Sequence, residues 1–237
     1  MQEFKKAVIE ANLEVRELIS QNSHDFLCRE ISVGFGGDLS MNIDILAEKI
    51  FIKYLSKFGN IFSEECGFID NNSDYSITID PIDGSSNFSS NFPYFGTSVA
   101  LKRADSILFA IVVNLSNGDI FAKDRFSFKK ANLDNLAFKD VEVNHNSKIG
   151  IFERSYCSNT IFEKLKTKNI KHRSPGAIAL SLAYAHEVDF VAYEGVMRDF
   201  DIEAGLFMCE ELFISKKSDI LLISKDKETF DKMSQLF

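Results

Sequence analysis

Acidic residues recur in this chain where an apolar run gives way to a turn. Glu64-Glu65 follows Asn60-Ile61-Phe62-Ser63 and precedes Cys66-Gly67. Asp80 and Asp83 bracket Pro81-Ile82 ahead of Gly84-Ser85-Ser86, and Asp201 opens a helical pattern late in the chain. Pro81 stiffens its turn and cannot donate to a ladder. Gly84 lets a ligand approach the backbone closely. Ser85 and Ser86 stand where a helix can begin, and the free N–H groups of a helix start bind phosphate. A lone Asp-Gly pair is only a turn signal. Several carboxylates at buried strand ends, however, repel one another unless cations lie between them. Oxygen ligands of this kind suit Mg²⁺, Mn²⁺ or Ca²⁺ rather than zinc.

The elements that must hold these residues follow from periodicity. Phe4, Ala7, Val8, Ala11, Val15, Leu18 and Ile19 fall on one face of a helix over residues 3–19. Residues 32–42, rich in glycine and polar side chains, read as a loop. A helix over 42–57 follows, capped by Ser40 or Asn42, with Ile43, Leu46, Ala47, Ile50 and Tyr54 as its apolar stripe. Residues 75–80 alternate as a strand and run directly into Pro81. Strands are then expected at Thr97–Leu101, Ile107–Val113 and Asp119–Lys123, with Asn117-Gly118 as a hairpin turn. Residues 124–148 are polar and irregular, the best candidate for a junction between two halves. Strands at 149–152 and 189–193 flank a helix over 175–187. A helix near 201–212, the strand Ile220–Ile223 and a closing helix complete the chain.

Composition narrows the class. The 237 residues, 45% of them hydrophobic and 23 of them Phe, suffice for one compact unit with a large core. A net charge of −8 argues against nucleic acid and acidic membranes as partners. An anionic substrate would need local positive charge, which bound metal ions supply. Cys28, Cys66, Cys157 and Cys209 show no metal spacing and read as free thiols of a reducing cytoplasm. The charged N-terminal segment is not a signal peptide, and no apolar run is long enough to cross a membrane.

The run IDPIDGSSNF at 79–88, with SEECG at 63–67 and RDFDIEAG at 198–205, resembles the inositol monophosphatase family of lithium-sensitive phosphatases. The resemblance extends from about residue 30 to residue 225. Residues 36–48 (GGDLSMNIDILAE) and the Phe200-Asp201-Ile202 opening of the last motif look like the archaeal-type bifunctional inositol monophosphatase/fructose-1,6-bisphosphatase subgroup. The stretch 173–195 matches the family's turn, helix and strand before that motif.

The resemblance implies a layered α/β fold, an αβαβα sandwich with mixed, largely antiparallel sheets between helix layers. It implies a single phosphatase unit over 1–237, with a metal-binding half at 1–140 and a smaller half at 141–237. Two to three Mg²⁺ ions (or Mn²⁺) would be bound. Glu64 would hold the first ion and bridge to a weaker third, and Asp80 would bridge the first two. The Ile82 carbonyl would complete the first site, and Asp83 and Asp201 the second. Asp44 would pair with the Ser85 hydroxyl to orient the attacking water, with Glu65 supporting from behind. Gly84, Ser85 and Ser86 would hold the phosphate, and Asp83, Gly176, Ala177 and Glu194 would meet the substrate. Arg173 and Arg198 read either as phosphate-steering groups or as surface ion pairs.

The activity implied is hydrolysis of inositol monophosphate, or a related small sugar or polyol phosphate, by two-metal in-line displacement. Fructose-1,6-bisphosphate is the alternative substrate, and a homodimer is the implied assembly. A second reading, of a different class, is a protein-binding role in RNA-related regulation, which some relatives have. Two departures stand out: Glu210-Glu211-Leu212-Phe213 replaces the family's E-A-G-G, and residues 124–148 replace a glycine-rich stretch.

Overall fold

Helix α1 (Gln2–Gln21) buries Phe4, Ala7, Val8, Ala11 and Val15, the stripe that its spacing predicts. It lies beside α3 (Asn42–Leu55), which buries Ile43, Ala47, Ile50, Phe51 and Leu55. Both cover one face of a sheet built from β3 (Asn60–Ser63), β4 (Gly67–Ile69), β5 (Tyr75–Asp83), β6 (Gly96–Arg103), β7 (Ser106–Asn114), β8 (Asp119–Asp124), β9 (Phe128–Asn132) and β10 (Lys139–Asp140). The order is β10-β9-β8-β7-β6-β5-β3-β4. Only β3 and β5 run parallel; the other neighbours are antiparallel.

Alternation along the strands divides two cores. Val99, Leu101, Ile111 and Val113 point to α1 and α3. Ala100, Ala110, Val112 and Phe121 point to the opposite face, under α6 (Ile178–Ala183) and α7 (Asp199–Met208). Each fully buried Ile, Leu or Phe contributes about 1.5–3 kcal/mol. The far side of α6 and α7 packs on a second sheet, β12-β11-β13-β15-β14. Its strands are β11 (Gly150–Glu153), β12 (His172–Arg173), β13 (Val191–Glu194), β14 (Phe213–Lys217) and β15 (Ile220–Ser224). Helices α5 (Asn159–Thr167) and α8 (Lys227–Ser234) close its outer face through Ile161, Leu165 and Met233. The layering is therefore αβαβα, with mixed sheets. This computed structural model describes residues 1–237, the side chain of Asn159 excepted.

Several expectations need correction. Residues 32–42 are largely a hairpin, β1 (Glu30–Val33) with β2 (Leu39–Met41), turning through Gly34–Asp38. The N-cap of α3 is Met41, whose N–H donates to Asp44 Oδ2 at 2.7 Å, so neither Ser40 nor Asn42 caps it. Residues 124–148 are not wholly irregular, because β9 and β10 carry the large sheet outward. Helix α6 is shorter than the expected 175–187, and α7 ends before 212. A short helix α2 (His24–Leu27), α5 and β14 were not anticipated.

Candidate active site

Two parallel strand ends begin the site. β3 and β5 are aligned Ser63↔Ile79, and the Glu64 N–H donates to the Ile79 carbonyl at 3.3 Å. Glu64 and Asp80 therefore leave the sheet side by side, at the carboxyl ends of parallel strands where α/β proteins place ligands. Asp83 comes three residues later, which in a regular strand would face the opposite way. The ladder with β6 pairs Asp80↔Ser98 and Asp83↔Gly96, so β5 carries one extra residue there. This bulge restores the common facing, and Pro81, without an N–H, sits inside it at no cost in ladder bonds. Asp80 Oδ1 accepts the Ile82 N–H at 3.0 Å, fixing the turn. Gly84 then takes φ +87°, where a Cβ would stand 3.0 Å from the Ala177 Cβ, and the chain enters α4 (Ser85–Ser89).

Asp201 arrives from the other direction, in the first turn of α7. Gly205 in that helix makes this approach possible. A Cβ there would lie 2.5 Å from the Leu182 Cβ on α6. One carboxylate oxygen each from Glu64, Asp80 and Asp201 then lie within 4.8 Å of one another. Asp83 lines the same cleft, and its Oδ2 accepts the Leu180 N–H of α6 at 2.8 Å. The cleft measures about 500 Å³, and Ile82, Gly84, Ser85, Ser86, Asp44 and Gly176 also face it.

Burial governs the electrostatics. Asp80 and Asp83 are only 2% and 4% exposed. Burial first, then Glu64 and Asp83, pushes Asp80 well above the usual carboxylate range. Asp83 is raised likewise by burial, against the relief of the Leu180 N–H. Burial raises Glu64 to about 8 despite Arg198, and raises Asp44 to about 7. Asp201 is also raised by burial, opposed by Arg198. Such a cluster is ionised at neutral pH only with positive charge inserted. Part of that charge is Arg198, which is half-buried. Its Nη2 lies 3.0 Å from Glu64, its Nε 2.8 Å from Asp201 and its Nη1 2.7 Å from Asp38 on the β1–β2 turn. The turn itself rests on the motif, with Phe35 and Gly36 N–H donating to the carbonyls of Glu65 and Glu64. A buried, all-oxygen donor set with unrelieved negative charge fits a hard divalent cation. Glu64, Asp80 and Asp201 are the residues that fit it together, with Asp83 and the Ile82 carbonyl beside them.

Other expected site residues are distributed unevenly. Among the described residues no hydrogen bond joins Asp44 to Ser85; Asp44 instead accepts from Met41. Glu65 accepts from the Ser40 hydroxyl, which ties it to β2. Ala177 is buried behind the cleft rather than lining it. Glu194 ends β13 outside the cleft lining, with its Oε2 buried and unpartnered. Arg173 is exposed on β12 and bonds the His172 carbonyl, away from the site.

Glu153 was not anticipated. At the end of β11 and 1% exposed, it accepts Gly176 N–H at 2.8 Å, Ala177 N–H at 3.3 Å and the Ser181 hydroxyl at 2.5 Å. It thereby fixes the loop that delivers Gly176 to the cleft. The signal in the sequence was a charge closing the apolar run Gly150-Ile151-Phe152.

Fold and site together define a layered α/β protein whose cleft concentrates carboxylates at the ends of β3 and β5. Residues 1–212 match the inositol monophosphatase family, and the chain belongs to it. It thus stands among phosphoric monoester hydrolases. It is 29% identical to a fructose-1,6-bisphosphatase of Pyrococcus furiosus over 76% of this chain and 70% of that one. It is 31% identical to a fructose-1,6-bisphosphatase/inositol-1-monophosphatase of Methanocaldococcus jannaschii over 74% and 69%. A solved inositol monophosphatase–fructose 1,6-bisphosphatase shares the fold, with a TM-score of 0.81 over 99% of both chains at 22% identity. No helix among the described residues is long and apolar enough to cross a membrane.

Proposed function

We propose that this protein is a Mg²⁺-dependent phosphomonoesterase acting on a small phosphorylated polyol or sugar such as inositol monophosphate. The observation that carries the reading is the convergence of oxygens of half-buried Glu64 and buried Asp80 and Asp201 within 4.8 Å, beside Asp83. In this reading Glu64, Asp80, Asp83, Asp201 and the Ile82 carbonyl hold Mg²⁺, with Mn²⁺ as a substitute. Bound there, the cations supply charge for the phosphate and acidify the attacking water.

The chain does the rest. Glu64 and Ser85 take part in positioning and deprotonating that water, with Asp44 behind them. The first N–H groups of α4, at Ser85 and Ser86, have no intrahelical acceptor and meet the phosphate oxygens. Asp83 Oδ2 is held by the Leu180 N–H, which leaves its other oxygen for ligation. Glu153 keeps Gly176 against the substrate. The protein is read as a cytoplasmic homodimer.

A second substrate, fructose-1,6-bisphosphate, is favoured by the activity named for both curated relatives. Recognition centred on the shared phosphate discriminates weakly between alcohols. Phosphate release should therefore be measured from inositol 1-phosphate, fructose-1,6-bisphosphate, glycerol 2-phosphate and 3′-phosphoadenosine 5′-phosphate. Several should be hydrolysed, including the first two. Preference for one beyond about 10⁴-fold would contradict this reading, because it requires dense polar contacts to the alcohol.

A further inference from the structure

Helix α7 carries Asp201 to the carboxylate cluster, so the seat of α7 on the large sheet decides where that side chain stands. Most of the seat is apolar. Ala204, Phe207 and Met208 share a core with Ala100, Ala110, Val112 and Phe121, and attraction of this kind has no direction. Glu203 supplies a directional contact. Its Oε2 accepts the Thr78 hydroxyl of β5 at 2.6 Å, and its Oε1 pairs with the Lys102 ammonium of β6. Among the described residues it is the one side chain of α7 hydrogen-bonded to the large sheet.

The partners form a matched set. Thr78 stands two residues before Asp80 on β5, so both side chains leave the same face. Thr78 pairs with Ala100 and Ser76 with Lys102, which puts the ammonium diagonally beside Thr78 on that face. On α7, Glu203 stands two residues after Asp201. One strand thus offers Thr78 and Asp80 to one helix that carries Glu203 and Asp201. Thr78 is buried, and the Lys102 and Glu203 side chains are only 20% and 19% exposed. A buried ion pair adds little stability over apolar groups of the same shape, because desolvation offsets its attraction. It does specify geometry, since one carboxylate must meet both partners at once. Arg198 also fastens the start of α7, but through Glu64 and Asp201, whose oxygens a cation would claim. Glu203 holds the helix through residues outside the cluster.

We infer that Glu203 is a positioning residue for the cation site: its bond to Thr78, with Lys102 steadying the carboxylate, fixes where α7 sits along β5 and so how closely Asp201 approaches Asp80. A helix advances about 1.5 Å per residue. A slip of one residue is therefore large against the 4.8 Å within which the Glu64, Asp80 and Asp201 oxygens lie. Mg²⁺ demands near-ideal octahedral geometry with oxygens at about 2.0–2.1 Å, so its affinity senses such a slip. The inference rests on the cation-binding part of the reading above and goes beyond it, because Glu203 itself touches neither cation nor substrate.

The test is calorimetric binding of Mg²⁺ and Mn²⁺ to the full chain at pH 8 without substrate, with phosphate release from inositol 1-phosphate measured alongside. It compares the wild type, Thr78→Val and the double variant Glu203→Gln/Lys102→Met. Thr78→Val keeps shape and charge and removes the hydroxyl. Its cation Kd should rise about 10-fold, the scale of a hydrogen bond to a charged group. The double variant removes both charges with no net change and keeps the Thr78 bond, because an amide oxygen still accepts. Its Kd should stay within about threefold of wild type. A rise of less than about threefold in Thr78→Val, even with a lower Tm, would overturn the inference and leave a purely structural ion pair. A double variant weakened 10-fold or more would also overturn it, by making the charges and not the Thr78 contact responsible. A wild type that binds both cations yet releases no phosphate would refute the phosphatase reading, and weaker binding by Thr78→Val would still uphold the positioning role. A wild type that binds neither cation would refute both.

Discussion

The carboxylate cluster should make the cation-free protein less stable than its own fold allows, and Asp80→Asn should expose the difference. Carboxyls raised from about 4 in the unfolded chain to about 7–8 in the native state hold more protons folded than unfolded. Stability without divalent cations must then fall as pH rises from about 4 to about 8. For Glu64 alone the rise from 4.5 to about 8, at 1.36 kcal/mol per unit, sets a ceiling of about 5 kcal/mol. The carboxylates share this penalty, and an effective dielectric near 20 weakens each pair, so deleting one charge should recover about 2–3 kcal/mol at pH 8. Asp80 is the informative position, because it is 2% exposed and an Asn oxygen can still accept the Ile82 N–H. For a chain of this length the gain corresponds to a Tm about 4–12 °C higher.

The assay is thermal unfolding in EDTA at pH 5.5 and pH 8, repeated with Mg²⁺. Asp80→Asn should melt above wild type in EDTA at pH 8 and lose most of that lead at pH 5.5. Mg²⁺ should raise wild type more than the variant, because only ligand that binds the folded state stabilises it. A variant that melts no higher than wild type at pH 8 in EDTA would show that the repulsion inferred from burial is not there.

Two further outcomes follow from the same cluster. Phosphate release should vanish with excess EDTA and return with Mg²⁺ or Mn²⁺, as the charge of the site demands; full turnover in chelator would refute cation-dependent chemistry. Asp201→Asn keeps the volume and should lower kcat by at least ~100-fold in Mg²⁺ while the protein stays folded, since the charge stabilisation involved is worth several kcal/mol; near wild-type kcat would leave Asp201 as a helix-start charge and a partner of Arg198.

What the sequence disclosed was local. Asp80 and Asp83 lie within one turn, and the residues around Glu64 and Asp201 form short runs whose order carries the motif. The strong stripes of α1 and α3 and the apolar β6 and β7 are likewise readable because many core residues repeat at one period. Elements with few core contacts were not. Among the described residues of α5 only Ile161 and Leu165 are buried, one turn apart, too short a pattern to register as a helix. β14 is an edge strand with almost no buried side chain, so it shows no alternation. β1 is exposed throughout, and its pairing with β2 is what makes the segment a hairpin. Glu153 and Glu203 escaped for another reason. Their roles come from the meeting of β11 with the Gly176 loop and of α7 with β5 and β6, contacts between residues 23 to 125 positions apart.

Charge balance explains why Arg198 alone cannot complete the site. Glu64, Asp80, Asp83 and Asp201 are four carboxylates, and Arg198 supplies one positive charge to two of them. The N–H groups of Ile82 and Leu180 add partial charges to Asp80 and Asp83. Fully ionised, the site keeps three negative charges and would repel a phosphate dianion strongly in so buried a setting. Partly protonated, as burial favours, it would be neutral enough to fold but would carry no net positive charge to attract the dianion. In the proposed reading, two dications would bring these four carboxylates and Arg198 to a single positive charge, enough to make the cluster attractive to phosphate. Arg198 therefore serves the fold, by fastening the Gly36–Asp38 turn to Glu64 and Asp201. In the proposed reading, the charge that attracts phosphate to the cluster comes from bound cations.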